Sequence, residues 1–448
     1  MDTMGPWVVA NTAWASGWFD LNTQLSYWFL STANRLEVAE SVFTKMDQSH
    51  DIFVANMPER FEGKCAGIGT IAPQSFISPF PSSLGFMGDF TWLCHDYWMM
   101  LERTMDHDRI KTKYFPLLKK AINTYLYVMV KEKDGSIHLP PTKSPEYGSS
   151  DIDVNYNLAL FRWGVNTLIS IAERYHINDP LMPQWKEVKD KLVAYPQNEN
   201  GYMISKNINL DKGHRHYSHL LMIYPLNEIT IEQEENKALI AKSVKYWAEL
   251  DHKAMTGYSW SGASAMYALQ EDGEKATHYL DRLLNMTKYS DDNQSEIHPT
   301  TMYTETARVQ PVTETPFSAC EALQQMVLQG WGGKIRVFPA IPEAWKNISF
   351  DGLLAPGGFE VSAVRSDGKT KMIKIKSTAG EICILKSNIE NPSFKGIKKN
   401  AVKKEGKDTY RIALKKGEEV TLLAKGEKNV AIKAVAAKKE NCNFYGMH

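Results

Sequence analysis

The chain has 448 residues, which is enough for two or three domains or for one large domain with an appendage. Because 52 lysine and arginine side chains balance 52 aspartate and glutamate side chains, the net charge is zero and the composition does not favour a nucleic-acid partner. No apolar run is long enough to span a membrane, and the five scattered cysteines lack the spacing of a zinc site or a disulfide framework, so we expect no membrane partner, metal ion or cofactor.

From about Asn22 to Gly330, apolar residues recur at the spacing of a helix, most clearly in 118–129, 158–172, 240–248, 276–284 and 319–328. The span has room for eight to twelve helices. Short turns alternate with longer loops rich in glycine, proline and serine. This alternation predicts a mainly α fold, an (α/α) toroid of helical hairpins whose longer loops gather at one end.

After Gln329–Gly333, which reads QGWGG, the residues alternate at period two between Gly, Asp and Lys turns. The pattern predicts a C-terminal β-sandwich. We therefore predict a helical barrel at residues 1–333 and a β domain at 334–448. The aromatic content of 11% suits a carbohydrate-binding protein, because aromatic faces pack against the C–H faces of sugar rings.

The stretch WFDLNTQLSYW, from Trp18 to Trp28, precedes the first helical pattern. Asp20 and Asn22 are two residues apart, so they share one side of an extended segment, and either one is also a good N-cap. With Trp18 they form a candidate site for water and sugar. In DFTWLCHDYW, Trp92, His95 and Trp98 lie near one side of a helix, where core packing explains at least one tryptophan.

Glu146 lies in the stretch SPEYG, between two helical patterns. A carboxylate on a proline-stiffened turn at the mouth of a barrel can serve as a general acid if its surroundings raise its pKa. A surface glutamate, or an acid beside the dipole of the following helix, is the competing interpretation.

His214, Arg215, His216 and His219 follow in HRHYSH. An arginine among the histidines opposes metal binding and favours hydrogen bonds to sugar hydroxyls. Sugar contact, structural hydrogen bonding and metal binding all remain open for this segment.

A long stretch from about Tyr289 to Pro316 lacks helical period, and we expect it to be ordered and functional. Glu314 stands just before the next helix, where helix capping is the default explanation. Tyr303, His298 and Arg308 are a set that a polysaccharide lyase could use to remove a proton beside a uronate carboxylate.

Taken in order, DLNTQLSYWFLSTANRLEVAE, SPEYG, GHRHYSHLLMIYP, TGYSWSGASAMYALQEDGEKA and QMVLQGWGGKIRVFPAIPEAWKN resemble segments of glycoside hydrolase family 95, the inverting α-L-fucosidases and their α-L-galactosidase relatives. The resemblance implies an (α/α)6 barrel followed by a C-terminal β domain. It also implies that family members carry an N-terminal β domain, which is not in this sequence, and that part of the first barrel helix is missing here.

Carried over by position, Glu146 matches the general acid and Asn22 matches one of two asparagines that position the attacking water. Asp20 stands where the family has the other asparagine, and Glu314 stands where it has the aspartate that activates the water. Trp18 stands where the family has a histidine. Sugar contacts are implied for Arg215, His216 and Trp92, and we also predict them for His95 and Trp260.

These residues predict an exo-acting, inverting glycosidase in which Glu146 protonates the leaving oxygen while Asp20, Asn22 and Glu314 activate water. Inversion predicts an acid–base separation of about 6.5–9.5 Å. A lyase on the same fold and a non-catalytic sugar-binding remnant are the alternatives. The expected partner is an oligosaccharide or polysaccharide, and the resemblance implies a periplasmic or secreted full-length protein.

Overall fold

The computed structural model describes residues 14–285, 296–297, 303–305 and 310–435. A helical region is followed by a β-rich region, as the change of periodicity predicts. Among the described residues, no helix combines the length and the apolar character needed to cross a membrane.

The helical region contains twelve α-helices in the described residues. They are α1 Asn22–Thr32, α2 Leu36–Asp47, α3 His50–Ala55, α4 Asp89–Thr104, α5 His107–Arg109, α6 Phe115–Val128, α7 Asn155–Tyr175, α8 Met182–Lys191, α9 Lys237–Leu250, α10 Gly257–Leu269, α11 Gly273–Leu284 and α12 Glu314–Val327.

The helices pack against one another so that the first helix, α1, contacts the last helix, α12. Helix α1 packs against α4 and α12, α4 packs against α7, and α10 packs against α11 and α12. Every residue of α10 is buried, and its small residues allow this close packing. A side chain at Gly262 would meet the Tyr217 ring at 2.5 Å, so this position requires glycine. The first and the last helix of the region are therefore in contact.

Short strands connect the helices. They are β1 Gly17–Trp18, β2 Ile71–Ala72, β3 Val130–Lys131, β4 Ile137–His138, β5 Thr142–Ser144, β6 Tyr147–Asp151, β7 Gln197–Asn198, β8 Gly201–Tyr202, β9 Glu296–Ile297, β10 Tyr303–Glu305 and β11 Gln310–Pro311. Strands β9, β10 and β11 form a three-stranded antiparallel sheet within the long stretch that precedes α12.

The β-rich region contains ten further strands. They are β12 Leu328–Gln329, β13 Ile335–Val337, β14 Ile348–Ala355, β15 Phe359–Ser366, β16 Lys369–Ser377, β17 Ile382–Lys386, β18 Ser393–Lys395, β19 Val402–Lys404, β20 Thr409–Ala413 and β21 Glu419–Leu423.

These ten strands form two five-stranded sheets, in the orders β12-β13-β17-β20-β19 and β14-β15-β16-β21-β18. The β13–β17 pair is parallel, and every other pair in the two sheets is antiparallel. Both sheets contribute alternate apolar residues to a single buried cluster, including Val361 and Ile375 from one sheet and Leu385 and Ile412 from the other. This cluster is separate from the core of the helical region.

Candidate active site

Glu146 lies at the tip of a β-hairpin. Ser144 of β5 pairs with Tyr147 of β6, which leaves Pro145 and Glu146 as the turn, and the peptide bond between these two is cis. The Pro145 carbonyl accepts a hydrogen bond from the Ser218 hydroxyl, which also contacts the Ser144 hydroxyl at 2.8 Å. The Tyr147 hydroxyl donates to the His216 carbonyl at 2.7 Å. The turn is thus fixed against the HRHYSH segment.

The Glu146 side chain, which is 30% exposed, points one oxygen at three basic side chains. Its Oε2 lies 2.7 Å from Arg215 Nη2, 3.3 Å from His216 Nε2 and 3.9 Å from His214 Nε2. SPEYG and HRHYSH, which stand apart in the sequence, therefore meet at the Glu146 carboxylate. The structure brings together Glu146, Arg215 and His216 as the sequence suggests, and it adds His214.

Burial raises the pKa of Glu146, but the hydrogen bond from His216 and the charges of His216, Arg215 and His214 outweigh it and hold the pKa at about 2. Glu146 is consequently ionised at neutral pH when no substrate is bound. A general acid must carry a proton, so Glu146 has to gain a proton before it can act.

Asp20 lies in the turn between β1 and α1 and is only 1% exposed. One of its carboxylate oxygens, one from Glu146 and one ring nitrogen of His216 all lie within 4.8 Å of one another. Burial raises the pKa of Asp20 to about 6, although the charge of His216 lowers it. Below about pH 6, the Asp20–Glu146 pair therefore holds one proton, and this proton lies mainly on Asp20.

This geometry bears on the role predicted for Asp20. One Asp20 carboxylate oxygen lies within 4.8 Å of one Glu146 oxygen, an approach that suits proton transfer between the two carboxyls. The role of Asp20 as the base stays a prediction.

Replacing Asp20 with asparagine should raise the free energy of unfolding, and the gain should grow as the pH rises from about 4 to about 7. Asp20 has a folded-state pKa of about 6 against an ordinary value of 3.8, so its contribution to stability is lost as the pH rises through this window. The gain reaches roughly 3 kcal/mol for a shift of about two units. Urea unfolding at several pH values measures it. Asp211→Asn, on an exposed side chain, is the control, and a gain that does not change with pH would contradict the assignment.

Asn22 and Glu314 meet where α1 and α12 begin. The Asn22 side-chain amide donates to Glu314 Oε1 at 2.8 Å, and the Glu314 side chain is 1% exposed. Asn22 is the first residue of α1 and Asp20 belongs to a turn, so the prediction that both lie on one extended segment is wrong. Neither Asn22 nor Glu314 is the N-cap of its helix, since the N-cap of α1 is Leu21 and that of α12 is Thr313.

Trp92 and Trp260 lie in the core rather than in the cleft. Both have 0% exposure. The Trp92 ring packs between Trp28 and Tyr156, and Trp260 stacks against Tyr279. Because a fully buried indole has no surface to offer a sugar, the predicted substrate contacts of Trp92 and Trp260 are corrected to core packing.

The sugar contacts predicted for His95 and Trp18 differ in how they compare with the structure. His95 is 5% exposed and lines a second cavity, at the junction with the β-rich region, rather than the Glu146 site. Trp18, in β1, is half-buried, and its indole N–H donates to the Ala15 carbonyl at 3.2 Å. Sugar contact by Trp18 stays a prediction.

Two side chains near the site were missed by the sequence reasoning. Asp89, the first residue of α4, accepts hydrogen bonds from Tyr156 and Thr70, and burial and the nearby Asp20 charge hold its pKa well above its ordinary value. Its position at the start of a helix gives no sign of these interactions. Tyr147 stands in SPEYG itself, but nothing in that motif shows that its hydroxyl reaches His216.

Of the three residues proposed for a lyase, Tyr303 belongs to the described part of the chain. His298 and Arg308 lie outside the described residues. The Tyr303 ring is buried, and its hydroxyl accepts a hydrogen bond from the Gly257 backbone N–H at 2.8 Å. Tyr303 therefore supports the start of α10.

The ligand atoms of Asp20, Glu146 and His216 are close enough to raise the question of a metal ion. The Arg215 guanidinium, 2.7 Å from Glu146, places a fixed positive charge at the same carboxylate. A cation would be repelled there. The arrangement is better suited to binding hydroxyl groups and transferring a proton.

Two family models match this chain. Residues 3–312 match the model of the glycosyl hydrolase family 95 catalytic domain, and residues 329–422 match that of the glycoside hydrolase family 95 C-terminal domain. The chain belongs to glycoside hydrolase family 95. The two matched segments correspond to the helical region and the β-rich region.

Individual relatives are distant. The chain is 25% identical over 393 residues to alpha-L-fucosidase 2 of Arabidopsis thaliana, covering 78% of this chain and 43% of the relative, so it spans less than half of that protein. A putative kojibiose phosphorylase from the human microbiome is 10% identical, with a TM-score of 0.55 over 92% of this chain and 61% of the other. An alpha-L-rhamnosidase of Streptomyces avermitilis is 9% identical, with a TM-score of 0.43 over 75% and 33%.

Proposed function

We propose that this family 95 chain is the catalytic part of an exo-acting, inverting glycosidase of the α-L-fucosidase type. The main support is the meeting of Glu146 with Arg215, His216 and Asp20, together with the hydrogen bond from Asn22, two residues after Asp20, to Glu314. The packing order of the helices and the two sheets that share one buried cluster support an (α/α)6 barrel and a β-sandwich. A secreted or periplasmic location remains part of the proposal.

In the proposed reaction, Glu146 protonates the glycosidic oxygen as the bond from that oxygen to the anomeric carbon breaks. Asn22 holds a water molecule, and Glu314 takes its proton as the water oxygen attacks the opposite face of the anomeric carbon. Asp20 is a positioning residue that acts through Glu146, because it supplies the proton that Glu146 passes to the leaving oxygen. When the substrate binds, sugar hydroxyls replace Glu146 as partners of Arg215, and the pKa of Glu146 therefore rises. A bridging water can then pass the proton from the Asp20 carboxyl to the Glu146 carboxyl.

A screen of aryl glycosides of L-fucose, L-galactose and related sugars tests the activity. NMR of the first product formed tests the stereochemistry, and an inverted anomer is expected. Turnover of none of these sugars, together with tight sugar binding, would replace the proposal with a non-catalytic binding protein. A new absorbance near 235 nm would indicate a lyase.

A second candidate is a retaining glycosidase with Asp20 as the nucleophile. The close approach of Asp20 to Glu146 favours it, because the two carboxyls of retaining enzymes lie about 5–5.5 Å apart. Retention of anomeric configuration in the first product would establish this mechanism in place of the inverting one.

A further inference from the structure

The backbone that carries His214 is fixed by side chains from two helices. The Trp247 indole N–H of α9 donates to the carbonyls of His214 and His216, both at 3.1 Å. The Ser259 hydroxyl of α10 donates to the Arg215 carbonyl between them at 2.8 Å. Because three successive carbonyls are held in this way, the side chains of this segment leave the backbone in fixed directions.

A hydrogen bond to the His214 ring shows which ring nitrogen carries the proton. The His216 backbone N–H donates to His214 Nδ1 at 3.1 Å. A backbone N–H can only donate, so Nδ1 is the acceptor and carries no proton. Burial, together with the charges of His216 and Arg215, lowers the pKa of His214 to about 4 despite the nearby Glu146. The ring is therefore neutral near pH 7, and its single proton is on Nε2.

This Nε2–H lies beside Glu146 without bonding to it. The distance from His214 Nε2 to Glu146 Oε2 is 3.9 Å, which is too long for a hydrogen bond, and Nε2 has no other partner in the part of the chain that the structure describes. The side chains of His214 and His216 are 28% and 3% exposed, and Asp20 is 1% exposed. His214 therefore lies on the open side of Glu146, with a donor available to a bound molecule.

The position of His214 relative to Glu146 suggests which part of a substrate it meets. A general acid lies beside the oxygen that joins the terminal sugar to the leaving group. In an exo-acting enzyme the terminal sugar fills the closed side of the site, so the leaving group extends toward solvent on the open side. The Tyr147 ring, 5.0 Å from the His214 ring, adds an aromatic surface there. A hydrogen-bond donor beside an aromatic face suits a sugar.

We propose that His214 is a specificity-determining residue, which donates its Nε2–H to a hydroxyl of a saccharide leaving group. The enzyme would thereby favour substrates in which the terminal sugar is joined to another sugar. This role rests on the proposed function, because it requires Glu146 to protonate the oxygen between the two.

Two substitutions separate the two ring nitrogens. In His214→Asn, the side-chain oxygen lies near the Nδ1 position and can accept from the His216 N–H, but no donor reaches the Nε2 position. In His214→Gln, the amide N–H reaches that position. We expect His214→Asn to lower kcat/KM for an α-L-fucosyl disaccharide about five- to tenfold more than for α-L-fucosyl fluoride, whose leaving group has no hydroxyl. His214→Gln should restore part of this difference.

A role confined to holding the His216 backbone predicts the opposite order, with His214→Gln the more damaging variant, and that order would overturn the inference. So would an equal loss on both substrates. The control is His278→Asn, on an exposed side chain of α11, which should leave both values of kcat/KM within about twofold. Circular dichroism checks that each variant is folded.

Failure of the proposed function would look different, because the wild type would then hydrolyse neither substrate. Titration calorimetry without turnover still tests His214 in that case. His214→Asn should weaken binding of the disaccharide about five- to tenfold and leave binding of L-fucose unchanged. Equal weakening of the two sugars, or no binding of the disaccharide by the wild type, would overturn the inference.

Discussion

Replacing Glu146 with glutamine should lower kcat for a natural glycoside by about 10²–10⁴-fold. Glutamine keeps the shape of the side chain and retains a carbonyl that can accept the hydrogen bond from Arg215, so the hairpin should stay in place. What is lost is the proton for the leaving oxygen. An aryl glycoside with an activated leaving group needs that proton much less, so its kcat should fall far less. The measurement is kcat for both substrates in the wild type and the variant.

The matched control is Glu132→Gln, an exposed glutamate near the neighbouring β3–β4 pair. This variant should keep both activities within about twofold, since surface substitutions rarely disturb a protein. If Glu146→Gln retained full activity on the natural substrate, Glu146 would not be the general acid.

Helices and strands were predictable where the pattern is long. The apolar residues of 158–172 repeat over four turns, and α7 extends through all of them. Strands of two or three residues, such as β5, are too short to show a period, so the sequence revealed a stiff turn at Glu146 but not the hairpin. Helix α10 is buried on every side and shows no amphipathic pattern, and for that reason the sequence did not reveal that Trp260 lies in the core.

The candidate site was predictable in its residue types but not in its distances. SPEYG and HRHYSH suggested an acid and basic sugar contacts separately, and their meeting depends on hydrogen bonds from Ser218 and Tyr147 across the fold. The short Asp20–Glu146 approach likewise depends on how the turn before α1 packs against the hairpin. No local sequence pattern contains such a distance, so the sequence could not show that Asp20 lies close enough to Glu146 to exchange a proton with it.

Replacing Glu314 with glutamine should lower kcat by about 10²–10⁴-fold for both the natural and the activated aryl substrate. Water must be deprotonated whichever group leaves, so the loss should not depend on the leaving group, in contrast to Glu146→Gln. Glutamine retains an oxygen that can accept from Asn22, which preserves the contact between α1 and α12.

The comparison of the two variants on the two substrates separates the base from the acid. Azide, which attacks without losing a proton, should restore turnover of the activated substrate to Glu314→Gln and give a product of inverted configuration. Azide should not restore turnover of the natural substrate by Glu146→Gln, because the missing proton belongs to the leaving group. If Glu314→Gln lost activity only on the natural substrate, Glu314 would be assisting the leaving group. If instead Asp20→Asn abolished turnover of both substrates while Glu314→Gln did not, the retaining mechanism with Asp20 as the nucleophile would explain the data.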